Sequence, residues 1–237
     1  MTAAPSSPRA RYREQTRADI KEIALRQLAE GGPEAVALTR IAKEVGLSGP
    51  ALYRYFSNRD DLLTSLVRDA YDDAATAIGH AAADLPDSPR AALHLLAGAY
   101  LGWASAAPHR YLLIQGSPLP GYAAPPDTVG RARAVLGPFV KIFASGELTD
   151  AVSPLAAELT AWAAQDEGVA AWLREYADLA PDDARTGIAL AGTMLVWSQL
   201  HGTVSLEVSG QYAGMGHRAG TMLTSQMETL ADSFRLR

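Results

Sequence analysis

The chain has 237 residues, and its 48% hydrophobic content supplies enough apolar material for a core, which excludes a wholly disordered or collagen-like protein. It has no cysteine, which excludes disulfide frameworks, thiolate zinc sites and cysteine nucleophiles and fits a reducing compartment. The net charge of −5 combines +3 over residues 1–60 with −8 over 61–237, and this asymmetry favours an N-terminal unit that meets a polyanion.

The N-terminus is small, Pro-rich and basic over residues 1–12, and it lacks the apolar segment that a secretory signal needs. We therefore predict a disordered basic arm over 1–12 and a cytoplasmic protein. Two interpretations of the arginines before the predicted first helix remain open: contacts to DNA phosphates or the minor groove, or a solvated, frayed terminus. These arginines are Arg9, Arg11, Arg13 and Arg17.

Apolar residues at helical spacing run through the first third of the chain, whereas strand signals are scarce, so the sequence predicts an all-α fold. The spacing predicts a helix through residues 20–28, ended by glycines and a proline at 31–33, and a short helix over 38–45, ended by Gly46. A longer helix is predicted from residue 62 to about 83, before a Pro-rich break at 85–89.

Residues 37–63 combine two short amphipathic helices with a sharp corner. Gly46 can take the positive φ that ends the first helix, Leu47 fills the corner, and Ser48 is a natural N-cap of the second helix. Pro50 is tolerated in a first turn, where its missing N–H has no partner within the helix. This arrangement predicts a helix-turn-helix whose second helix enters a major groove of DNA.

The second helix of this motif has an inward and an outward side. Leu52 and Phe56 are spaced to anchor it, which leaves small residues at the front of the outer side and aromatic or basic residues behind. Small residues allow close approach to base edges, and Tyr and Arg side chains reach phosphates. Asn58 is predicted to cap the next helix, with Arg59 in its first turn, where a helix N-terminus attracts phosphate. The predicted outward residues are Gly49, Ala51, Tyr53, Arg54 and Tyr55.

A longer pattern is carried by Ile41-Ala42, Gly46-Leu47-Ser48, Ala51-Leu52-Tyr53, Phe56 and Arg59-Asp60-x-Leu62-Leu63. In residue type and spacing it resembles the DNA-binding domain of the TetR family of repressors over residues 13–73. Ala37 departs from the family's usual Ser or Thr, a contact that Thr39 could partly replace, and Gly49 replaces a basic residue. Tyr55 and Arg59 replace a His and a Lys and keep the capacity to bond phosphate. The residues predicted to bind DNA are Thr39, Ser48, Gly49, Pro50, Ala51, Tyr53, Arg54, Tyr55 and Arg59.

Residues 74–237 are predicted to form a second, larger helical domain. Helices are predicted over 129–144, 154–165 and 169–179, an irregular loop over 116–126, and a closing segment over 212–236. Pro181-Asp182-Asp183 is interpreted as the acidic start of a long helix that reaches about Leu206. Two uncharged stretches, 91–109 and 186–206, approach the length of a membrane span, but their Ala, Gly, Ser and Thr content favours helices buried within protein.

The family resemblance implies that this second domain dimerises through its last two long helices and binds a small ligand. The element Trp-x-x-x-His-Gly at 197–202 resembles one C-terminal subclass, as does the loop sequence at 116–122. An ordinary core helix of a monomer is the alternative explanation of the uncharged stretch 186–206. The residues predicted to contact the ligand, each of which also fits plain core packing, are Tyr100, Trp103, Tyr111, Phe139, Trp162, Met194, Trp197 and His201.

The sequence carries no recognised enzyme motif. The five histidines lack metal-ligand spacing, and neither a Gly-x-Ser-x-Gly elbow nor a phosphate-binding Gly-rich loop is present. We therefore predict no catalytic residue, no metal and no cofactor. The sequence predicts a homodimeric transcriptional regulator, more a repressor than an activator, released from double-stranded operator DNA by a small apolar or aromatic effector. The alternative is a helical small-molecule-binding protein or enzyme on the same fold without operator binding.

Overall fold

The computed structural model describes residues 7–115 and 122–237, and none of these residues forms a strand. The all-α prediction is therefore confirmed. A 3₁₀ turn lies at Pro33–Ala35. The helices in chain order are α1 (Pro8–Gly31), α2 (Leu38–Val45), α3 (Gly49–Leu52), α4 (Arg59–Ala83), α5 (Pro89–Ala106), α6 (Pro108–Gln115), α7 (Asp127–Phe143), α8 (Ser153–Gln165), α9 (Glu167–Ala177), α10 (Thr186–Val208) and α11 (Ala219–Ser233).

The described chain divides into two compact units. The first unit comprises residues 7–70 with 109–115 and 122–125, and the second unit comprises 71–108 with 126–237. The predicted boundary after residue 73 is close to the observed one, but the assignment of α6 to the N-terminal unit is not predicted by the sequence. In the loop predicted at 116–126, residues 116–121 lie outside the described residues. Residues 122–125 have no regular structure, and the hydroxyl of Tyr122 lies 3.0 Å from that of Thr64 in α4.

The first unit has one apolar core, which α1, α2, α3 and the start of α4 share. The predicted inward faces of these helices are confirmed. The backbone N–H of Ala37 donates to the Oε1 atom of buried Gln27 at 3.0 Å, so α1 holds the start of α2, which has no side-chain cap. The buried core residues are Ile20, Ile23, Ala24, Leu28, Val36, Ile41, Ala42, Leu52, Phe56, Leu62, Leu63 and Leu66.

The first helix begins earlier than the sequence analysis predicted. Ser7 is its N-cap and accepts a hydrogen bond from the N–H of Ala10 at 3.2 Å, and Pro8 occupies the first helical position. The prediction of a disordered arm is therefore wrong for residues 8–12, and residues 1–6 lie outside the described residues. The four N-terminal arginines lie within α1 and do not precede it.

The second unit is built around α10, which packs against α5, α7, α8 and α11. Two glycines let its backbone approach its neighbours closely. A Cβ on Gly187 would lie 2.6 Å from the carbonyl oxygen of Ala156 in α8, and a Cβ on Gly192 would lie 2.1 Å from the Phe143 ring of α7. The first part of α10 is thus buried, as predicted for an uncharged helix. No helix in the described ranges is long and apolar enough to cross a membrane.

Residues 181–185, predicted as the start of a helix, form a turn, and a second turn precedes α11. Asp183 accepts hydrogen bonds from the backbone N–H and the side chain of Arg185, so residues 181–185 form a turn, and α10 begins only at Thr186. The closing segment was predicted over 212–236, but α11 begins at Ala219. Residues 209–218 turn instead because Gly210, Gly214 and Gly216 all adopt positive φ.

The close contact at Gly192 yields a stability prediction. Gly192→Ala should lower the free energy of unfolding by about 1–3 kcal/mol because the added methyl group collides with the buried Phe143 ring, which is itself packed on Phe234. The measurement is urea unfolding. Gly98→Ala in α5 is the matched control, since a Cβ there meets nothing within 4 Å. Equal losses in both variants would contradict the packing argument.

Candidate nucleic-acid interface

The corner between α2 and α3 has the geometry that the sequence predicts. Gly46 adopts a left-handed conformation with φ of 75°, and the N–H of Leu47 donates to the carbonyl oxygen of Ala42 at 2.8 Å. Ser48 is the N-cap of α3 and accepts a hydrogen bond from the N–H of Ala51 at 3.4 Å. These local bonds fix the direction in which the chain leaves α2, and the helix-turn-helix is confirmed.

The segment that follows the corner, residues 49–55, is called here the recognition segment. Its regular helix spans only Gly49–Leu52, and residues 53–55 continue as a hydrogen-bonded turn in which the N–H of Tyr55 donates to the carbonyl oxygen of Leu52 at 2.8 Å. Leu52 and Phe56 are fully buried, as predicted. The recognition segment is therefore anchored at its middle and just past its end.

The predicted DNA-binding residues lie along this segment and its flanks. Tyr53 is 53% exposed, whereas Tyr55 is half-buried and packs against the core of the first unit. The side chain of Tyr55 is thus less available than the sequence suggested. The remaining exposed residues of the predicted set are Thr39, Ser48, Gly49, Pro50 and Arg54, and the half-buried ones are Ala51 and Arg59.

The start of α4 is capped on both sides of its first turn. The Oδ1 atom of Asn58 accepts from the N–H of Asp61 at 2.8 Å, which confirms the predicted cap. The carboxylate of Asp61 in turn accepts from the backbone N–H and the hydroxyl of Ser57, at 2.9 and 2.8 Å. These bonds, the backbone one above all, lower the pKa of Asp61. The cap holds Arg59, the first residue of α4, next to the recognition segment.

Some cations of the first unit pair with carboxylates, and others line a groove. Lys21, Arg26 and Arg40 pair with carboxylates on the surfaces of α1, α2 and α4, where exposed ion pairs contribute little stability but neutralise charge. A different set lies beside the recognition segment and lines an open groove with it. The lining residues are Pro8, Arg9, Tyr12, Arg13, Leu47, Ala51, Arg54 and Tyr55.

The contribution of α1 to this groove was missed by the sequence analysis. Arg9, Tyr12 and Arg13 line the groove because α1 begins at Pro8. Residues three and four positions apart lie on the same face of a regular helix. The Ser7-Pro8 dipeptide, a common N-cap and first-position pair, was the available signal.

The residues predicted to contact a ligand are dispersed. Tyr111 belongs to the first unit, and the other seven to the second. In the second unit, the ring centres of Tyr100 and Trp103 lie 5.6 Å apart. The indole N–H of Trp103 donates to the carboxylate of Asp73 at 2.9 Å. Two cavities described in this unit, one between α7 and α9 and one beside residues 210–220, are lined by none of the predicted residues. Phe139 is buried, Met194 is half-buried and Trp162 is 37% exposed.

The later part of α10 and the facing part of α11 expose an uncharged surface. Trp197 is 40% exposed, Leu206 42% and Met222 37%, and the rings of Trp197 and His201 stack at 6.4 Å. Thr203 of α10 donates to Gln226 of α11 at 2.7 Å, which ties the two helices together. This uncharged surface comprises Trp197, Ser198, Gly202 and Leu206 of α10 with Met222, Ser225 and Thr229 of α11.

Within residues 7–115 and 122–237, no group of three or more His, Asp or Glu side chains is placed to hold a metal ion.

Comparison with known proteins defines the class. Residues 20–66 match the family model described as bacterial regulatory proteins, tetR family, and residues 93–230 match the model described as tetracyclin repressor-like, C-terminal domain. The chain is 37% identical to the HTH-type transcriptional regulator Rv1816 of Mycobacterium tuberculosis, over 92% of each chain. It is a helix-turn-helix transcriptional regulator. More narrowly, the chain belongs to the TetR family.

Solved structures agree with this assignment. The crystal structure of regulatory protein SCO4313 is similar with a TM-score of 0.78 and 40% identity, covering 95% of this chain and 100% of that one. FadR of Bacillus subtilis, solved in complex with stearoyl-CoA, has a TM-score of 0.54 and 15% identity over 91% of this chain and 98% of that one, which shows a shared fold. The subclass suggested by the Trp-x-x-x-His-Gly element stays a prediction.

Proposed function

We propose that this protein is a homodimeric cytoplasmic repressor that binds a double-stranded operator and is released by a small, largely apolar or aromatic effector. The observation that carries the proposal is the exposed recognition segment, held in place by buried Leu52 and Phe56. In a dimer, two such segments would occupy successive major grooves about 34–36 Å apart. The names of its relatives, which are transcriptional regulators, favour a protein that is not an enzyme.

The charge distribution of the first unit supports DNA as the partner. Lys21, Arg26 and Arg40 are paired with carboxylates, whereas a second set of arginines, Arg9, Arg13 and Arg54, lies along the groove beside the recognition segment. Cations placed in this way neutralise phosphates and release counterions, which makes affinity strongly dependent on salt. A net acidic protein can therefore present a locally basic surface to DNA.

Binding to a duplex selected by the wild-type protein from a randomised library tests the DNA-binding part. Arg54→Ala should weaken binding and reduce the slope of log K against log[salt] by about 1, because one phosphate contact is lost. Tyr55→Phe should weaken binding less, because the Tyr55 ring packs against the core. Gel-shift titration at several salt concentrations measures both quantities.

The control for Arg54 is Arg26→Ala, which removes a cation already paired with Glu44 and should leave affinity and slope unchanged. If no sequence is selected, or if Arg54→Ala binds as the wild type does, the assigned interface is wrong. Weak binding without salt dependence would instead favour a small-molecule-binding protein on the same fold.

The uncharged surface supports the dimer. A contiguous exposed apolar patch rimmed by polar residues typically marks a contact with another chain. Here the largest apolar side chains of this surface, those of Trp197, Leu206 and Met222, belong to the last two long helices, through which the family resemblance implies dimerisation. A second copy of the chain is the occupant that we propose.

Leu206→Glu should convert the dimer to a monomer, because the new carboxylate would be buried without a partner in the interface. Sedimentation velocity measures the mass. Leu95→Glu in α5 is the matched control, since Leu95 is also 42% exposed and should leave the dimer intact. A monomeric wild type, or a Leu206→Glu variant that remains dimeric, would exclude the proposed interface.

The effector part of the proposal rests on the aromatic residues of the second unit. Tyr100 and Trp103 are buried together on α5, where an apolar ligand would find two rings and a nearby polar group in Asp73. The FadR protein that shares this fold was solved with stearoyl-CoA, whose acyl chain is apolar. An effector would release DNA only through its differential affinity for the bound and free conformations.

A thermal-shift screen of a small-molecule library tests this part, because ligand binding to the native state raises the unfolding temperature. A molecule that raises the unfolding temperature should also weaken duplex binding. Trp103→Ala should abolish both responses while affinity for the duplex stays at the wild-type value. A Trp103→Ala variant that still responds fully would remove Trp103 from the ligand site.

A further inference from the structure

We propose that Arg17 is a positioning residue for DNA reading, which holds the end of the recognition segment at a fixed angle and does not itself contact phosphate. This inference rests on the proposed binding of DNA by the first unit. It assigns to an N-terminal arginine a role that its sequence neighbourhood did not indicate.

The contacts of Arg17 join α1 to the last residue of the recognition segment. Its Nη1 atom donates to the carbonyl oxygen of Tyr55 at 2.8 Å, and its Cζ atom lies 4.2 Å from the centre of the Phe56 ring. Phe56 is fully buried, so the ring beneath the guanidinium has little freedom to move. One side chain thus makes a hydrogen bond to the backbone of the recognition segment and a cation–π contact with Phe56, the residue that anchors the segment.

The recognition segment needs these contacts from α1 because its own helix is only four residues long. The last carbonyl groups of any helix lack partners within the helix, and a helix of four residues consists of little besides its ends. The carbonyl of Tyr55 lies in the turn that follows this helix, and cationic side chains are favourable just beyond a helix C-terminus. Arg13 adds a second, longer bond to the carbonyl oxygen of Arg54 at 3.4 Å.

The helix that carries Arg17 is itself packed into the core of the first unit. Arg17 lies on α1 next to Ile20, Ile23 and Ala24, which are buried in the core of the first unit. The position of α1 therefore fixes where the guanidinium of Arg17 lies. Through the carbonyl of Tyr55, it also fixes the path of residues 53–55.

The charge of Arg17 is directed into the protein. Besides the carbonyl and the ring, it lies near the carboxylate of Asp61, whose pKa is lowered mainly by the backbone N–H of Ser57 and in part by Arg17. Arg17 is half-buried, whereas Arg54 is exposed. Removal of Arg17 should therefore leave the number of neutralised phosphates unchanged, whereas removal of Arg54 should lower it.

The experiment compares Arg17→Met, Arg17→Lys and Arg54→Ala in the full-length protein. Met keeps the apolar stem over Phe56 but has no donor for the Tyr55 carbonyl, whereas Lys keeps a donor and the charge. The probes are the duplex selected by the wild-type protein and a scrambled duplex of the same length and composition. Affinity is measured for both over a series of salt concentrations, together with the unfolding temperature.

Arg17→Met should lose about tenfold in affinity for the selected duplex, because DNA binding would then have to order residues 53–55, which Arg17 holds in the free protein. Its affinity for the scrambled duplex and its salt slope should equal those of the wild type, whereas Arg54→Ala should lower the slope. Arg17→Lys should recover affinity to within about threefold of the wild type, since a single ammonium replaces the guanidinium fork.

Three results would overturn the inference. A lower salt slope in Arg17→Met would make Arg17 a phosphate contact. Equal losses on both duplexes with a lower unfolding temperature would make its role purely structural, and unchanged affinity would leave it without a role. A wild-type protein that selects no duplex would instead contradict the proposed function itself, so the two failures are distinguishable.

Discussion

The recognition segment depends on support from outside itself. A helix of four residues is unstable in isolation, because nucleation fixes several dihedral angles before enough hydrogen bonds have formed. Burial of Leu52 and Phe56 fixes its inner side, and the guanidinium groups of Arg13 and Arg17 bond the carbonyls at its end. The geometry that would be offered to DNA is thus set by the packing of α1 against the core.

The second unit depends in a similar way on one helix. The first part of α10 is buried because Gly187 and Gly192 allow α8 and α7 to approach its backbone, and a charged side chain there would lack a partner. Its later part carries no charge through residue 206 either, yet it exposes Trp197 and Leu206. A single uncharged stretch therefore supplies both a core and the surface for which we propose a second copy as the partner.

The points where sequence reasoning failed share a cause. The arginines of residues 9–17 suggested a disordered arm by composition, but the Ser7 cap and Pro8 begin a helix ahead of them. Asp183 suggested a helix start through its charge, but its carboxylate bonds Arg185 and closes a turn. In each case a specific local hydrogen bond or backbone conformation outweighed an average tendency.

The sequence by itself determined the all-α class, the two helices of the motif with their caps, and the family resemblance, because these features are encoded by residues a few positions apart. Only the tertiary structure decided that α6 packs with the first unit, which face of α10 is exposed, and that Arg17 bonds a carbonyl 38 residues away. Contacts of that kind depend on how whole helices pack, and neither the spacing of apolar residues nor local propensity carries that information.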